Sequence, residues 1–321
     1  MPWRYTLAIE GALLPVKYVI SERGNALSPS SLDQATTIGD FRFWQDLNPG
    51  LHIASPGFVP PIEVPEETAA GFRSRILKEG HLQAEGMMLE PSFDSLAAAV
   101  KVLVANDLPP PFAFVYDEFW RPFFRIHNLL KYILGHTYAM LPDFWVWHVS
   151  PEKSESGWRP HRDKGHHALF EDGTPKSLTV WLPLTAATPL NGCLYIVPAD
   201  RDPTYRTERE NEWTFAIPDI RALPAKAGDL LMWNQAVLHW GAHACERATD
   251  PRISMAFEFQ RDDIEPFNQP LLPACRLLSF EARLALICKQ ILQYQHMYAL
   301  TPEMEKMALE IVRDFALKPR S

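Results

Sequence analysis

Between residues 142 and 260 the chain keeps returning to short runs of apolar, β-branched and aromatic residues: FWVWHV, SLTVWLPL, GCLYIVPA, DLLMW and ISMAFEF. Turn chemistry such as Asn191-Gly192 and Gly228-Asp229 separates them, and no helix-length amphipathic segment lies between. Strands that follow one another without crossover helices pair antiparallel, which excludes a doubly wound parallel sheet and leaves a sandwich or barrel. The 29 prolines lean the same way, since proline sits at loops and strand ends and is excluded from helix interiors.

On either side the texture is helical. Residues 66–79 read as a helix stopped by Gly80, and residues 93–106 as a second, with Ser92 as N-cap and Leu96, Val100, Leu103 and Val104 on one face. A Pro-rich loop at 55–65 precedes the first of these, and Pro109, Pro110 and Pro111 close the second. Residues 117–134 again have helical spacing, with Phe119, Phe123, Leu130 and Leu134 on one side and Gly135 beyond the end. Two amphipathic helices follow, at 279–297 and 302–316, the second opening at Thr301-Pro302. These C-terminal helices suit packing on the barrel and a homodimer contact equally. The expected fold is mainly β with flanking helices around a jelly-roll core. It is read as one domain over 1–321, with a mixed wrap at 1–141, the core at 142–262 and C-terminal helices at 263–321.

Charge and composition narrow the function. Hydrophobic residues make up 47% of the 321, enough to bury a full core. Lys and Arg total 31 against 39 Asp and Glu, and a net charge of −8 repels a phosphate backbone, so nucleic acid is not an expected partner. No run is long and apolar enough to span a membrane, and Glu10 and Lys17 interrupt the apolar N-terminus where a signal peptide would be continuous. Cys193, Cys245, Cys275 and Cys288 have neither CxxC nor zinc spacing and read as buried thiols. A cytoplasmic protein acting on a small molecule is the expectation.

The chemistry sits in three places. His161 and Asp163 are two apart, so in extended backbone their side chains point the same way. His239 lies far along the chain, at the end of the strand pair DLLMW and AVLHW. Two histidines and one carboxylate on one face of a metal leave positions open, as in non-haem Fe(II) oxygenases. Arg252 follows on the next strand, and a buried arginine there needs an anion that its planar fork can grip. Ser254, two residues on, faces the same way. A 2-oxo acid satisfies all of these together, with its far carboxylate on Arg252 and Ser254 and one metal position left for O2.

The span 142–260 resembles the phytanoyl-CoA dioxygenase-like branch of the Fe(II)/2-oxoglutarate-dependent oxygenases. GWRPHRD around His161, SLTVWLPLTAATPLNGCLYIVPADR, GDLLMWNQAVLHWGAH around His239 and RIS at Arg252 carry the resemblance, in order and with suitable gaps. It implies a double-stranded β-helix (jelly-roll, cupin-like) core. It also implies His161, Asp163 and His239 as iron ligands, Arg252 as the clamp on 2-oxoglutarate and Ser254 as its assistant, with Trp181 and Thr179 near the co-substrate. Related halogenases have a small residue at the Asp163 position, so the carboxylate here implies oxygenation. The reaction it implies first is hydroxylation of an unactivated C–H bond with release of succinate and CO2; desaturation, ring closure and demethylation share the same oxidant chemistry and stay open. A cupin-like metal- or ligand-binding protein that does not turn over 2-oxoglutarate is the alternative, and Arg252-Ile253-Ser254 discriminates between them.

Other residues compete for attention. His243 rivals His239, but His239 fits the run after GDLLMW. Trp145, Trp147, Trp158, Trp181, Trp213, Trp233 and Trp240 form a tempting substrate cage, yet aromatic residues are also what strands prefer, and packing is the expected role for most. His148 reads as a core histidine. Arg159, Arg162, Lys164, His166 and His167 read as a solvated loop beside the metal motif. The polar insertion 200–221 has the length of a lid, with Tyr205, Arg206, Arg209 and Trp213 as candidate contacts.

Overall fold

The computed structural model of the chain describes residues 4–9, 12–17, 37–54, 59–88, 93–153, 155, 157–298 and 300–317. Ten strands are formed: β1 (Arg4–Ile9), β2 (Ala12–Lys17), β3 (His81–Ala84), β4 (Tyr138–Val149), β5 (Ser177–Pro183), β6 (Leu194–Val197), β7 (Arg221–Leu223), β8 (Leu230–Asn234), β9 (Leu238–Gly241) and β10 (Arg252–Arg261). The helices are α1 (Phe41–Leu47), α2 (Glu66–Glu79), α3 (Phe93–Ala105), α4 (Arg121–Arg125), α5 (His127–Leu134), α6 (Phe280–Gln293) and α7 (Pro302–Leu317).

Every pairing is antiparallel. One sheet has the order β3-β8-β5-β10-β4 and a second has β7-β6-β9, while β1 and β2 pair with each other. From β5 onward the chain passes between the two sheets, and their facing sides meet: Trp145, Trp181, Leu231 and Ala256 of the large sheet pack with Leu194, Ile196 and Leu223 of the small one. This winding is the expected jelly roll. Helical residues nonetheless outnumber strand residues in the described chain, so "mainly β" describes the core and not the whole.

The reason is that the large sheet is covered twice. Successive side chains of a strand point to opposite faces. On β10, Ile253, Met255, Phe257 and Phe259 pack outward with helix residues, while Arg252, Ser254, Ala256 and Glu258 alternate with them. On β5, Leu178, Val180 and Leu182 go outward and Trp181 inward. Both faces are buried, which is why these strands read as continuous apolar runs.

Helix bounds follow the local signals with informative exceptions. α2 ends at Gly80, whose φ of 77° is the left-handed conformation of a C-cap. α3 forms, but Ser92, its expected N-cap, lies outside the described residues, as do residues 55–58 of the Pro-rich loop. The single helix expected over 117–134 is broken: a 3₁₀ turn at Asp117–Phe119 leads into α4, which ends at Arg125 before α5 begins. Pro122 stands at the start of α4, where its missing N–H costs nothing. The helix expected over 279–297 stops at Gln293, and a 3₁₀ turn, Gln295–Met297, continues it. β3 and β7 were too short to show periodicity, and β4 starts four residues before the expected core.

The outer layer is aromatic and pinned by one ion pair. The Phe114 ring lies within 4.7–6.3 Å of the rings of Phe119, Trp120, Phe123, Phe144 and Phe257. Beside it Arg283 of α6 meets Asp117 at 2.6 Å, both side chains fully buried, and the same guanidinium donates to the carbonyls of Val115 and Leu278. α6 is thereby held on the barrel wrap. Of the cysteines, Cys193 and Cys288 are buried, Cys245 and Cys275 half-buried, and all four are free thiols. Phe114→Ala is expected to destabilise the protein by about 3–5 kcal/mol in urea unfolding, because five rings cannot close over the void.

Candidate active site

The segment around His161 lies against β9. His161 N–H donates to the His239 carbonyl and His239 N–H to the His161 carbonyl, each at 3.0 Å, and Gly241 N–H donates to Trp158 O at 3.1 Å. His161 therefore sits in an isolated bridge and not on a full strand. The bridge puts the two imidazoles side by side, ring centroids 4.4 Å apart. Asp163 reaches both: its Oδ1 is 3.3 Å from His161 Nε2 and 3.5 Å from His239 Nε2. The three residues offer ligand atoms all within 4.8 Å of one another, a geometry that could hold a metal ion. His243, by contrast, is exposed, two residues beyond the end of β9.

The surroundings fix which atoms face inward. His161 Nδ1 is 2.7 Å from the Arg159 carbonyl and His239 Nδ1 is 3.1 Å from the Val237 carbonyl. Each contact calls for Nδ1 to carry the proton and leaves the Nε2 lone pair for a cation. Asp163 Oδ2 accepts from Thr179 Oγ1 at 2.8 Å and from Trp233 Nε1 at 2.9 Å, while Gln235 Nε2 donates to Thr179 Oγ1 at 3.0 Å. Oδ1 is left facing the histidines. Burial pulls His239 down to about 4, so it is neutral, as a ligand must be. Burial also opposes charge on Asp163, but His239, His161 and the Thr179 hydroxyl outweigh it and hold its carboxyl well below the usual range.

Two cavities open from this triad and share Trp147, Trp158, His161, Trp233 and His239 in their walls. The narrower runs to Trp181, Leu194 and Arg252. Arg252 is 1% exposed and donates through Nη1 to Ser254 Oγ at 2.6 Å; its Nε has no partner, and among the described residues no carboxylate pairs with it. The Trp181 ring lies 5.8 Å from its guanidinium carbon. Burial brings Arg252 down to about 10, so it remains a cation at neutral pH. Gly157 and Gly241 make room for it: a Cβ on Gly241 would stand 2.9 Å from Gly157 Cα, and one on Gly157 would stand 3.2 Å from Arg252 Nη2. Both glycines belong to the blocks singled out in the sequence.

The wider cavity, about 210 Å³, is walled by Trp145, Trp147, Trp158, Trp233 and Tyr294 and has Lys164, Thr179, Ala256 and Glu258 among its polar and small lining residues. Lys164 Nζ lies 3.1 Å from Glu258 Oε2. Burial disfavours the Lys164 charge, but Glu258, Asp143 and Asp163 outweigh it and raise its pKa.

Several expectations change here. Thr179 is on the Asp163 carboxylate and in the wider cavity, not in the cavity that leads to Arg252. Five of the seven tryptophans, Trp145, Trp147, Trp158, Trp181 and Trp233, line the two cavities and are not mere packing. Trp240 stacks between Tyr195 and Phe215, and Trp213 is 57% exposed. His148 is half-buried and lines a separate surface groove. The loop beside the metal motif is less solvated than expected: Arg162 binds Asp202, Thr204 and the Glu210 and Ala236 carbonyls, and Lys164 is committed to Glu258. The 200–221 insertion is anchored by that network. Tyr205 accepts from Asn234, Arg206 binds the Glu171 carbonyl, Arg209 pairs with Glu212, and none of the three lines either cavity. Glu258 and Tyr294 were not found from sequence, the first because a carboxylate in ISMAFEF has no motif around it, the second because it follows a helix distant in the chain.

The sequence profile described as phytanoyl-CoA dioxygenase matches residues 65–245, more than half of the chain. No curated protein matches. Among solved structures, the fold is similar to the non-haem alpha-ketoglutarate-dependent epimerase SnoN from nogalamycin biosynthesis, with a TM-score of 0.50, 16% identity, and coverage of 67% of this chain and 94% of that one. It is similar also to the non-haem monooxygenase ThoJ in its apo form, with a TM-score of 0.50, 13% identity, and coverage of 76% and 99%. At such identities the likeness is one of fold.

The hydrogen bonds on Asp163 Oδ2 make a measurable claim. Trp233→Phe and Thr179→Val should each weaken binding of a divalent ion such as Co(II) by about 10–100-fold, as loss of an orienting partner does elsewhere. Calorimetric titration measures it, and unchanged affinity in the double variant would show that the carboxylate needs no orientation.

Proposed function

The chain belongs to the phytanoyl-CoA dioxygenase family, and on that premise we propose that it is an Fe(II)/2-oxoglutarate-dependent oxygenase of a small-molecule substrate, most directly a hydroxylase. The observation that carries the reading is Arg252. A fully buried guanidinium with an unpartnered Nε and no carboxylate is costly unless an anion completes it. It stands at the end of a cavity that begins at His161 and His239, the two histidines that Asp163 joins. A dicarboxylate co-substrate reaching from the metal to Arg252 supplies that anion.

On this reading His161 Nε2, His239 Nε2 and an Asp163 oxygen hold Fe(II). The donor set suits it: two imidazoles and one carboxylate leave positions for other ligands. With 2-oxoglutarate and O2, iron supplies the oxidant for an unactivated C–H bond, and the co-substrate leaves as succinate and CO2. The chain's own residues do the rest. Arg252 grips the far carboxylate through its fork, with Ser254 holding the guanidinium and offering a hydroxyl. Trp181 packs on the guanidinium face and fixes its plane. Trp147, Trp158 and Trp233 line the junction of the cavities with apolar surface, which would keep water from side reactions with the oxidant. The chain is read as one domain, with described helices before residue 135 and after residue 279 packed on the outer face of the large sheet.

Hydroxylation is the simplest outcome because Asp163 occupies the third ligand position. No described helix is long and apolar enough to cross a membrane.

Anaerobic titration of metal-free protein with Fe(II) and then 2-oxoglutarate should produce a weak visible charge-transfer band that needs both components. Arg252→Ala should bind iron normally and lose most of its 2-oxoglutarate affinity. Iron binding with no such band in the wild type would favour a cupin-like role, and an unaffected Arg252→Ala would remove the clamp.

A further inference from the structure

The wider cavity contains a second charged site that the co-substrate does not use. Glu258 is 2% exposed, and its Oε2 lies 3.1 Å from Lys164 Nζ without any donor aligned on it as a hydrogen bond. The indole N–H of Trp145, another wall residue and 8% exposed, has no partner among the described residues. These groups face the same space as His161, Asp163 and His239. Their placement is set by the sheet: Glu258 lies two residues from Ala256 on β10, and Ala256 is opposite Trp145 on one side and Trp181 on the other. The alanine leaves the room that a larger residue would fill.

We propose that this cavity is the substrate subsite and that it takes a small zwitterion, an α-amino acid or close analogue, whose ammonium binds Glu258 and whose carboxylate binds Lys164 and the Trp145 N–H. The inference rests on the oxygenase reading for its account of what then happens to the ligand.

The argument is one of charge pairing between a half-buried ammonium and a buried carboxyl. Lys164 and Glu258 lie 3.1 Å apart, and burial pushes the Glu258 carboxyl up to about 8, so its ionisation depends on a cation beside it. A cationic ligand that took Glu258 would draw it away from Lys164, and an anionic ligand that took Lys164 would leave Glu258 buried without its cation. A zwitterion exchanges one ion pair for two and strands neither. The remaining walls suit its hydrocarbon part and its ammonium: Trp145 and Trp147 are stacked at 6.1 Å, and Tyr294 lies 5.8 Å from both Trp145 and Trp158. The metal triad borders the same cavity, so a C–H bond of the bound ligand lies toward it.

The test titrates the full chain, loaded anaerobically with Fe(II) and 2-oxoglutarate, with three matched ligands: L-phenylalanine, phenethylamine and hydrocinnamate, and with the corresponding L-leucine set. Calorimetry reads affinity, and the visible band is recorded in the same samples. In the wild type a zwitterion should bind at least about tenfold tighter than both of its single-charge counterparts. In Glu258→Gln the preference should pass to the acid, and in Lys164→Met to the amine. Failure of both zwitterions to bind, equal binding of a single-charge ligand, or absence of the reciprocal switch in folded variants would overturn the proposal. The wild-type comparison decides even where a variant does not fold. A normal band without zwitterion binding sinks this inference alone, whereas zwitterion binding without the band sinks the oxygenase reading and leaves the subsite standing.

Discussion

Everything in this molecule hangs on the two-sidedness of strand β10. One face of it is Ile253, Met255, Phe257 and Phe259, packed under helices; the other is Arg252, Ser254, Ala256 and Glu258, turned to the space between the sheets. Because the period of a strand is two, a one-residue slip would bury a guanidinium and a carboxylate among phenylalanines and put those rings in the cavity. The pairing of β10 with β4 on one side and β5 on the other, and the aromatic layer around Phe114, act against that slip. Stability of the outer layer and chemistry of the inner one are therefore a single specification.

The cluster of His161, Asp163 and His239 depends on a weaker device. His161 and His239 are joined by two backbone hydrogen bonds outside any long strand. What makes so short a bridge sufficient is the ring of fixed partners around it. Each imidazole has its Nδ1 against a carbonyl two residues before it, and Asp163 Oδ2 has two donors. The loop that carries Asp163 is tied to the 200–221 insertion through Arg162, whose guanidinium reaches Asp202, Thr204 and Glu210. The insertion that reads as a lid is in this structure a brace for the metal loop.

Much of this was legible in the chain. Short apolar runs and turn residues were enough for the antiparallel core, the i, i+2 spacing was enough to put His161 and Asp163 on one side, and the ordered family blocks linked them with His239 and Arg252. What escaped was of two physical kinds. Short elements such as β3 and β7 have too few residues for a period, and a break such as the one between α4 and α5 depends on tertiary packing that propensity does not see. Partners brought together by folding left no local trace: nothing adjacent to Glu258 announces Lys164, and nothing adjacent to Tyr294 announces Trp158. Thr179 shows the intermediate case. Its proximity to the site was legible, but whether its hydroxyl serves the co-substrate or Asp163 is a matter of a few ångströms that only packing decides.

The contrast between two cations of the site, the buried Arg252 and the half-buried Lys164, says most about how the site divides its work. Arg252 has no carboxylate within the described chain, whereas Lys164 has Glu258. A cation left without an anion is complete only when a ligand brings one, so the Arg252 end suits a ligand that is present at every turnover and carries net negative charge. A cation already paired excludes a net anion by the same logic, since taking it would strand the glutamate. The two ends of the site thus differ in what they ask of a ligand: an anion at Arg252, and a counterpart for each charge at Lys164 and Glu258.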